Sequence, residues 1–224
     1  MKIFLDTADI DQIRKFAEIG IIDGVTTNPA ILAQEGKNFH DVVNEITQII
    51  DGPISGEVVS LTAEKMIKEA HALASIHPNI VVKLPAIPEG FKALYSLSRE
   101  GIKTNFTVVY TVNQALLAAK NGATYVSPFV GRLEANAGSH ANLIEDIACI
   151  FKNYSFTTKI LAASMRNVVY VKEAALAGAH VATIPPAVLE DMMRSELSEI
   201  ALAGFLKEWE SMPADKKNIF GTDE

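Results

Sequence analysis

Lys83 lies in the run Ile80-Val81-Val82-Lys83-Leu84-Pro85, which is too apolar to be a solvated edge. Desolvation disfavours an ammonium, so a lysine held there is pushed toward the free amine and becomes a nucleophile. The structural alternative is a lysine that snorkels out of its strand or pairs with a carboxylate. Two carboxylates occupy comparable positions. Glu57 sits inside the strand-like Ile54–Ser60 run with no helix to cap, which favours a functional role. Asp6 follows Phe4-Leu5 and precedes Thr7; taken alone, it reads as a cap for the first helix. Asn28-Pro29 marks a turn after Val25-Thr26-Thr27. Further apolar runs end in Asn105 with Thr107, Ser127 with Phe129, and Ser164 with Arg166. Apart from Phe129 these are polar or charged groups, and burying them is costly unless they serve one another or a ligand. Arg132 and Arg166 stand in loops where their forked donors would suit a phosphate, although an arginine in a loop is more often simply solvated.

The elements that must position these residues are legible in the spacing. Strand-like runs recur at Lys2–Leu5, Gly24–Thr27, Ile54–Val58, Ile80–Leu84, Thr104–Val108, Tyr125–Phe129, Ile160–Ala163 and Val181–Ile184. Most lack clean polar alternation, as expected of parallel strands covered on both faces. Amphipathic stretches separate them. Ile10, Ile13 and Ala17 share one helical face. Thr111 and Gln114 form a capping-box pattern opening a helix that ends near Lys120, with Gly122 just beyond. Asn167–Ala177 ends in the same way at Gly178. Eight strand–helix units in 224 residues average about 28 residues each, near the minimum for a βα unit. The alternation implies a parallel sheet with right-handed crossovers, and eight units fit a closed (β/α)₈ barrel. The chemistry of such barrels sits at the carboxyl ends of the strands, where the residues named above fall. The chain reads as one α/β domain over residues 1–224. Residues 198–212, with Phe205, Leu206 and Trp209, form an extra C-terminal helix whose apolar face must pack on its own barrel or on a neighbouring subunit.

Composition excludes several classes. A net charge of -7 argues against nucleic-acid binding, which would call for a basic stripe. The apolar fraction is 49%, yet no run approaches a membrane span, and Met1-Lys2-Ile3-Phe4-Leu5-Asp6 does not read as a signal peptide. A cytoplasmic location is expected. The single cysteine, Cys149, allows no internal disulfide and reads as core. The histidines show no metal-ligand spacing, and no P-loop or dinucleotide glycine pattern is present, so neither metal nor cofactor is expected.

Six stretches together resemble the small transaldolases and fructose-6-phosphate aldolases: Phe4-Leu5-Asp6-Thr7-Ala8, Gly24-Val25-Thr26-Thr27-Asn28-Pro29, Val82-Lys83-Leu84-Pro85, Lys103-Thr104-Asn105, Tyr125-Val126-Ser127-Pro128-Phe129-Val130-Gly131-Arg132 and Leu161-Ala162-Ala163-Ser164-Met165-Arg166-Asn167. They follow the family's order over nearly the whole chain. The resemblance implies a Schiff-base lysine on strand four, where Lys83 falls, attacking the C2 carbonyl of a ketose phosphate. It implies Asp6 as the acid/base at the C4 hydroxyl, and Glu57 acting through a water held also by Thr107. It implies that Asn28, Asn105, Ser127 and Ser164 hydrogen-bond the dihydroxyacetone unit and that Arg132 and Arg166 bind the phosphate. Glu57 and Phe129 are similar to the transaldolases, where the aldolases carry Gln and Tyr; this implies transfer of dihydroxyacetone rather than simple cleavage. The alternatives are a fructose-6-phosphate aldolase and a non-catalytic sugar-phosphate-binding barrel. The family also implies a homo-oligomer, a pentamer or a decamer. Leu133–His140 departs from the family's pattern.

Overall fold

Short β-branched and aliphatic runs alternate with amphipathic segments, and this alternation closes into a barrel. The computed structural model describes residues 1–36, 39–131, 141–213 and 216–217. The strands are β1 (Lys2–Asp6), β2 (Gly24–Thr26), β3 (Ile54–Glu57), β4 (Ile80–Pro85), β5 (Thr104–Val109), β6 (Tyr125–Pro128), β7 (Lys159–Ala162) and β8 (Val181–Ile184). The helices are α1 (Ile10–Ile19), α2 (Pro29–Glu35), α3 (Phe39–Ile49), α4 (Ala63–Ala74), α5 (Pro88–Arg99), α6 (Val112–Lys120), α7 (Ala141–Asn153), α8 (Val168–Leu176), α9 (Pro186–Met192) and α10 (Glu196–Ser211). The eight strands pair in sequence order, and β1 pairs with β8 in parallel. The fold is a (β/α)₈ barrel with a C-terminal helix.

Strand parity sorts side chains into two cores, because successive residues of a strand face opposite sides. Leu5, Val25, Ile54, Val82, Leu84, Phe106, Val126, Ile160, Ala182 and Ile184 belong to the large core that also takes the buried faces of the helices. Their neighbours in sequence turn into the barrel. Phe4, Leu161 and Val181, with Tyr125 packed on them, fill its interior. Two residues further along the same strands come Asp6, Ala163, Thr183 and Ser127. The floor of the site is therefore apolar, and the polar layer lies at the carboxyl ends above it.

Local signals in the sequence act as expected in α6 and α8. Thr111 and Gln114 form a reciprocal capping box, and Gly122 and Gly178 adopt φ +87° and +89° after the two helices. The first helix differs from expectation: Asp9, not Asp6, caps α1, accepting from the backbone N–H groups of Asp11 and Gln12. Asp6 therefore has no part in capping α1. Cys149 also departs from its reading as core. On α7, Ile144, Ile147 and Phe151 are buried at spacings of three and four, and Cys149 falls on the exposed face between them.

The chain divides into two compact units, Met1–Leu189 and Glu190–Glu224. The first holds the barrel. The second holds α10, which Ser195 caps and whose Leu197, Ile200, Phe205 and Leu206 are exposed. No described helix is long and apolar enough to cross a membrane.

Candidate active site

Lys83 projects into the barrel from the middle of β4 and is 7% exposed. Its Nζ lies 2.8 Å from Glu57 Oε2 and donates to the carbonyl oxygen of Thr27 at 3.1 Å. Register explains the pairing, because Glu57 and Lys83 are direct partners across β3 and β4, as are Lys83 and Asn105 across β4 and β5. Burial and carboxylate pairing, the two alternatives for Lys83, occur together. The Glu57 carboxylate stands within direct proton-transfer distance of the Lys83 amine.

The loop that follows Glu57 is pinned from α4. The Glu69 carboxylate accepts from the N–H groups of Val59 at 2.9 Å and Ser60 at 3.1 Å, and from the Ser60 hydroxyl. These bonds hold its carboxyl below the usual glutamate range, against the opposing effect of desolvation.

Asp6 reaches the same space from β1. Burial pushes its carboxyl above the usual aspartate range; Glu57 adds to this, while the Thr26 hydrogen bond and the attraction of Lys83 oppose it. A carboxyl that holds its proton more readily than an ordinary aspartate is a better candidate for returning it to a neighbouring oxygen.

Lys83 and Asp6 line a cavity of about 130 Å³ together with Thr26, Asn28, Asn105, Thr107, Ser127, Phe129, Leu161, Ala163, Ser164 and Thr183. Seven strands or the residues just after them contribute, and β3 joins through Glu57. Asn28 keeps its turn role, since Oδ1 accepts from the N–H groups of Ala30 and Ile31 to cap α2; its amide nitrogen is what it can offer a ligand. The Ser127 hydroxyl donates to Asn105 Oδ1 at 2.7 Å. Among the described residues, Asn105 Nδ2 and Thr107 Oγ1 are buried without a protein partner. Such groups are expensive to bury, and both residues line the cavity, where a ligand's polar atoms could satisfy them.

Backbone irregularity aims part of this set. The register between β5 and β6 slips by one residue between Phe106 and Val109, and Val108 within that bulge takes φ +60°. Positive φ is costly for a β-branched residue, and Ser164 (φ +64°) adopts it as well. Phe129 packs edge-on against Tyr110, with ring centroids 5.9 Å apart, and closes one side with carbon rather than a hydroxyl.

Of the residues singled out in the sequence, Asp6, Asn28, Lys83, Asn105, Thr107, Ser127, Phe129 and Ser164 line this one cavity, and Glu57 meets it through Lys83. Arg166 is exposed and does not line it; the aliphatic part of its side chain lies beside Gly131. Arg132 and residues 133–140 lie outside the described residues. Thr26 and Thr183 were not anticipated. Threonine is an ordinary strand residue, and only counting two positions on from Gly24 and Val181 would have turned them inward. A larger hollow, about 430 Å³, lies beside α4, but its lining is mainly apolar, with Leu32, Val58, Val59, Leu73 and Ile76.

Known proteins share this arrangement of sequence and fold. The barrel resembles a solved thiamine phosphate pyrophosphorylase from Pyrococcus furiosus, with a TM-score of 0.57 at 16% identity over 84% of this chain and 86% of that one. That likeness concerns the fold alone. A probable transaldolase of Geobacter sulfurreducens is 55% identical over 213 residues, covering 95% of this chain and all of the relative. One of Caldicellulosiruptor saccharolyticus is 55% identical over 219 residues, covering 97% and 100%. The profile of the transaldolase/fructose-6-phosphate aldolase family matches residues 3–222. The chain belongs to the transaldolase/fructose-6-phosphate aldolase family.

Proposed function

We propose that this protein is a transaldolase. It moves a dihydroxyacetone unit from sedoheptulose 7-phosphate to glyceraldehyde 3-phosphate, giving erythrose 4-phosphate and fructose 6-phosphate, through a Schiff base on Lys83. The observation that carries this reading is the ion pair of Lys83 with Glu57, beside the cavity that Lys83 lines together with Asp6. One amine and two carboxylates supply every proton movement the reaction needs.

Glu57 takes a proton from the Lys83 ammonium, and the neutral amine attacks the ketose C2 carbonyl to form a carbinolamine. Loss of water, with Glu57 and Thr107 holding it, gives the protonated imine. Asp6 then takes the C4 hydroxyl proton while the C3–C4 bond breaks, and the bonding pair flows into the imine to leave an enamine. The first aldose departs. The enamine attacks the acceptor's aldehyde carbon, and Asp6 returns its proton to the new alkoxide. Hydrolysis of the second imine frees Lys83. Positioned proton transfer of this kind supplies roughly 10²–10⁴-fold per group. Asn28, Asn105, Ser127 and Ser164 hold the three-carbon unit, while Arg132 and Arg166 take the phosphate at the rim.

Phe129 favours transfer over cleavage, because its ring cannot hold a water against the enamine. The test is fructose 6-phosphate supplied with and without erythrose 4-phosphate. Glyceraldehyde 3-phosphate should appear only when the acceptor is present; release at the same rate without it would make the protein an aldolase. We also infer a homo-oligomer, supported by Leu197, Ile200, Phe205 and Leu206, which are 53–78% exposed on α10 and suited to cover by another copy. A monomer in sedimentation at micromolar concentration would count against it.

A further inference from the structure

The Thr26 hydroxyl lies 2.7 Å from Asp6 Oδ1 and 2.5 Å from the Thr183 hydroxyl. Thr26 and Thr183 are buried and line the same cavity as Asp6, and their strands, β2 and β8, flank β1 on its two sides. A hydroxyl donates one hydrogen bond and accepts others, so this row has two complete patterns. With Asp6 ionised, Thr183 donates to Thr26 and Thr26 donates to the carboxylate. With Asp6 protonated, the acid donates to Thr26 and Thr26 donates to Thr183. Both patterns keep the Thr26 proton paired.

We propose that Thr183 is a positioning residue for proton transfer at Asp6, turning with the Thr26 hydroxyl as Asp6 gains and loses its proton. The proposal rests on the reading of Asp6 as the group that takes the C4 hydroxyl proton. Only that proton changes owner: it passes from the substrate to Asp6 and later to the acceptor alkoxide. The threonines rotate and keep their own protons. A fixed donor, such as a backbone N–H, would serve the ionised state and oppose the protonated one. The hydroxyl pair serves both, as a group working in both directions of an aldol step requires.

Removing the hydroxyl at position 183 affects the two states unequally. In the protonated state Thr26 loses its acceptor and is left with a buried, unpaired donor, the costly case. In the ionised state Thr26 still donates to the carboxylate, and only some polarisation along the row is lost. Asp6 is therefore held ionised, and its return to the acid form becomes harder. The other charged groups facing Asp6 are Lys83 from β4, which attracts it, and Glu57 from β3, which repels it. No charged side chain comes from β2, β5, β6 or β8, and Lys2 and Lys159 stand at the amino ends of β1 and β7.

The experiment compares wild type, Thr183→Val, Thr183→Ala and Thr183→Ser. Transfer from fructose 6-phosphate to erythrose 4-phosphate is followed across pH, and borohydride trapping on Lys83 is run in parallel. Valine and alanine should lower kcat roughly tenfold, about 1.4 kcal/mol, leave KM unchanged and move the acid limb of the profile to lower pH. The trapped adduct should form as in wild type, and serine should restore both kcat and the limb. A valine variant with the wild-type kcat and limb would overturn the proposal while leaving Lys83 in place. So would serine and valine variants equally slow with an unmoved limb. No adduct in the wild type would overturn the proposal together with the reading beneath it.

Discussion

Replacing Gly90 by alanine should weaken the fold and slow the enzyme together, although helix propensity points the other way. Gly90 is buried in the first turn of α5, where alanine is worth roughly 1 kcal/mol over glycine in an unconstrained helix. A Cβ added there would stand 2.0 Å from the Pro85 carbonyl oxygen and 3.2 Å from its carbon. Ordinary contact begins near 3.4 Å, so helix and strand would have to part by about 1.4 Å (3.4 minus 2.0). The obstacle is backbone and cannot rotate aside. Overpacking costs about 1–3 kcal/mol, and a rigid clash belongs at or beyond the upper end. After the propensity gain, a net loss of about 2 kcal/mol remains, which lowers Tm by roughly 4–8 °C in a chain of this size. Pro85 ends the strand that carries Lys83, only two residues away. A displacement near 1 Å there would reduce kcat by about 10²-fold. Thermal unfolding by circular dichroism and the transfer assay read both effects. An alanine variant that melts at or above wild type with unchanged kcat would refute this account of how α5 sets β4.

The acidic groups give further tests. Asp6→Asn should stabilise the protein at neutral pH. Burial raises the Asp6 carboxyl above its unfolded value, so the folded state holds the proton longer and stability falls as pH rises through that window. The amide lacks this effect, and its Tm advantage should grow from about pH 3.9, the unfolded aspartate range, toward neutrality; an advantage that shrinks with rising pH would contradict it. Glu57→Gln removes the acceptor for the Lys83 proton, and the rate of adduct formation should fall by roughly 10²-fold or more. Phe129→Tyr should raise acceptor-independent release of glyceraldehyde 3-phosphate relative to transfer, and an unchanged ratio would remove Phe129 from the account of specificity.

The barrel was legible because its strands are short, apolar and separated by units near the minimum βα length. Their limits shifted by a residue or so, as at β4, which continues through Pro85. The site was legible in part for a different reason: a lysine, an asparagine and two carboxylates are conspicuous at the ends of apolar runs. Thr26 and Thr183 were not conspicuous, since threonine suits any strand and its role depends on which face it takes. Taken alone Asp6 could equally be a cap, and only the structure gives that duty to Asp9, whose side chain accepts from the N–H groups of Asp11 and Gln12. The β5 bulge that carries Val108 past β6 has no signature in Phe106-Thr107-Val108-Val109. Cys149 shows that an apolar helical stretch has an outer face as well as an inner one.

The most direct measurement is borohydride reduction of the wild-type protein with fructose 6-phosphate, read by peptide mass spectrometry. The expected result is a single three-carbon or six-carbon adduct on the peptide containing Lys83, lost in Lys83→Ala. No adduct, or one carried by another lysine and retained in Lys83→Ala, would contradict the assignment.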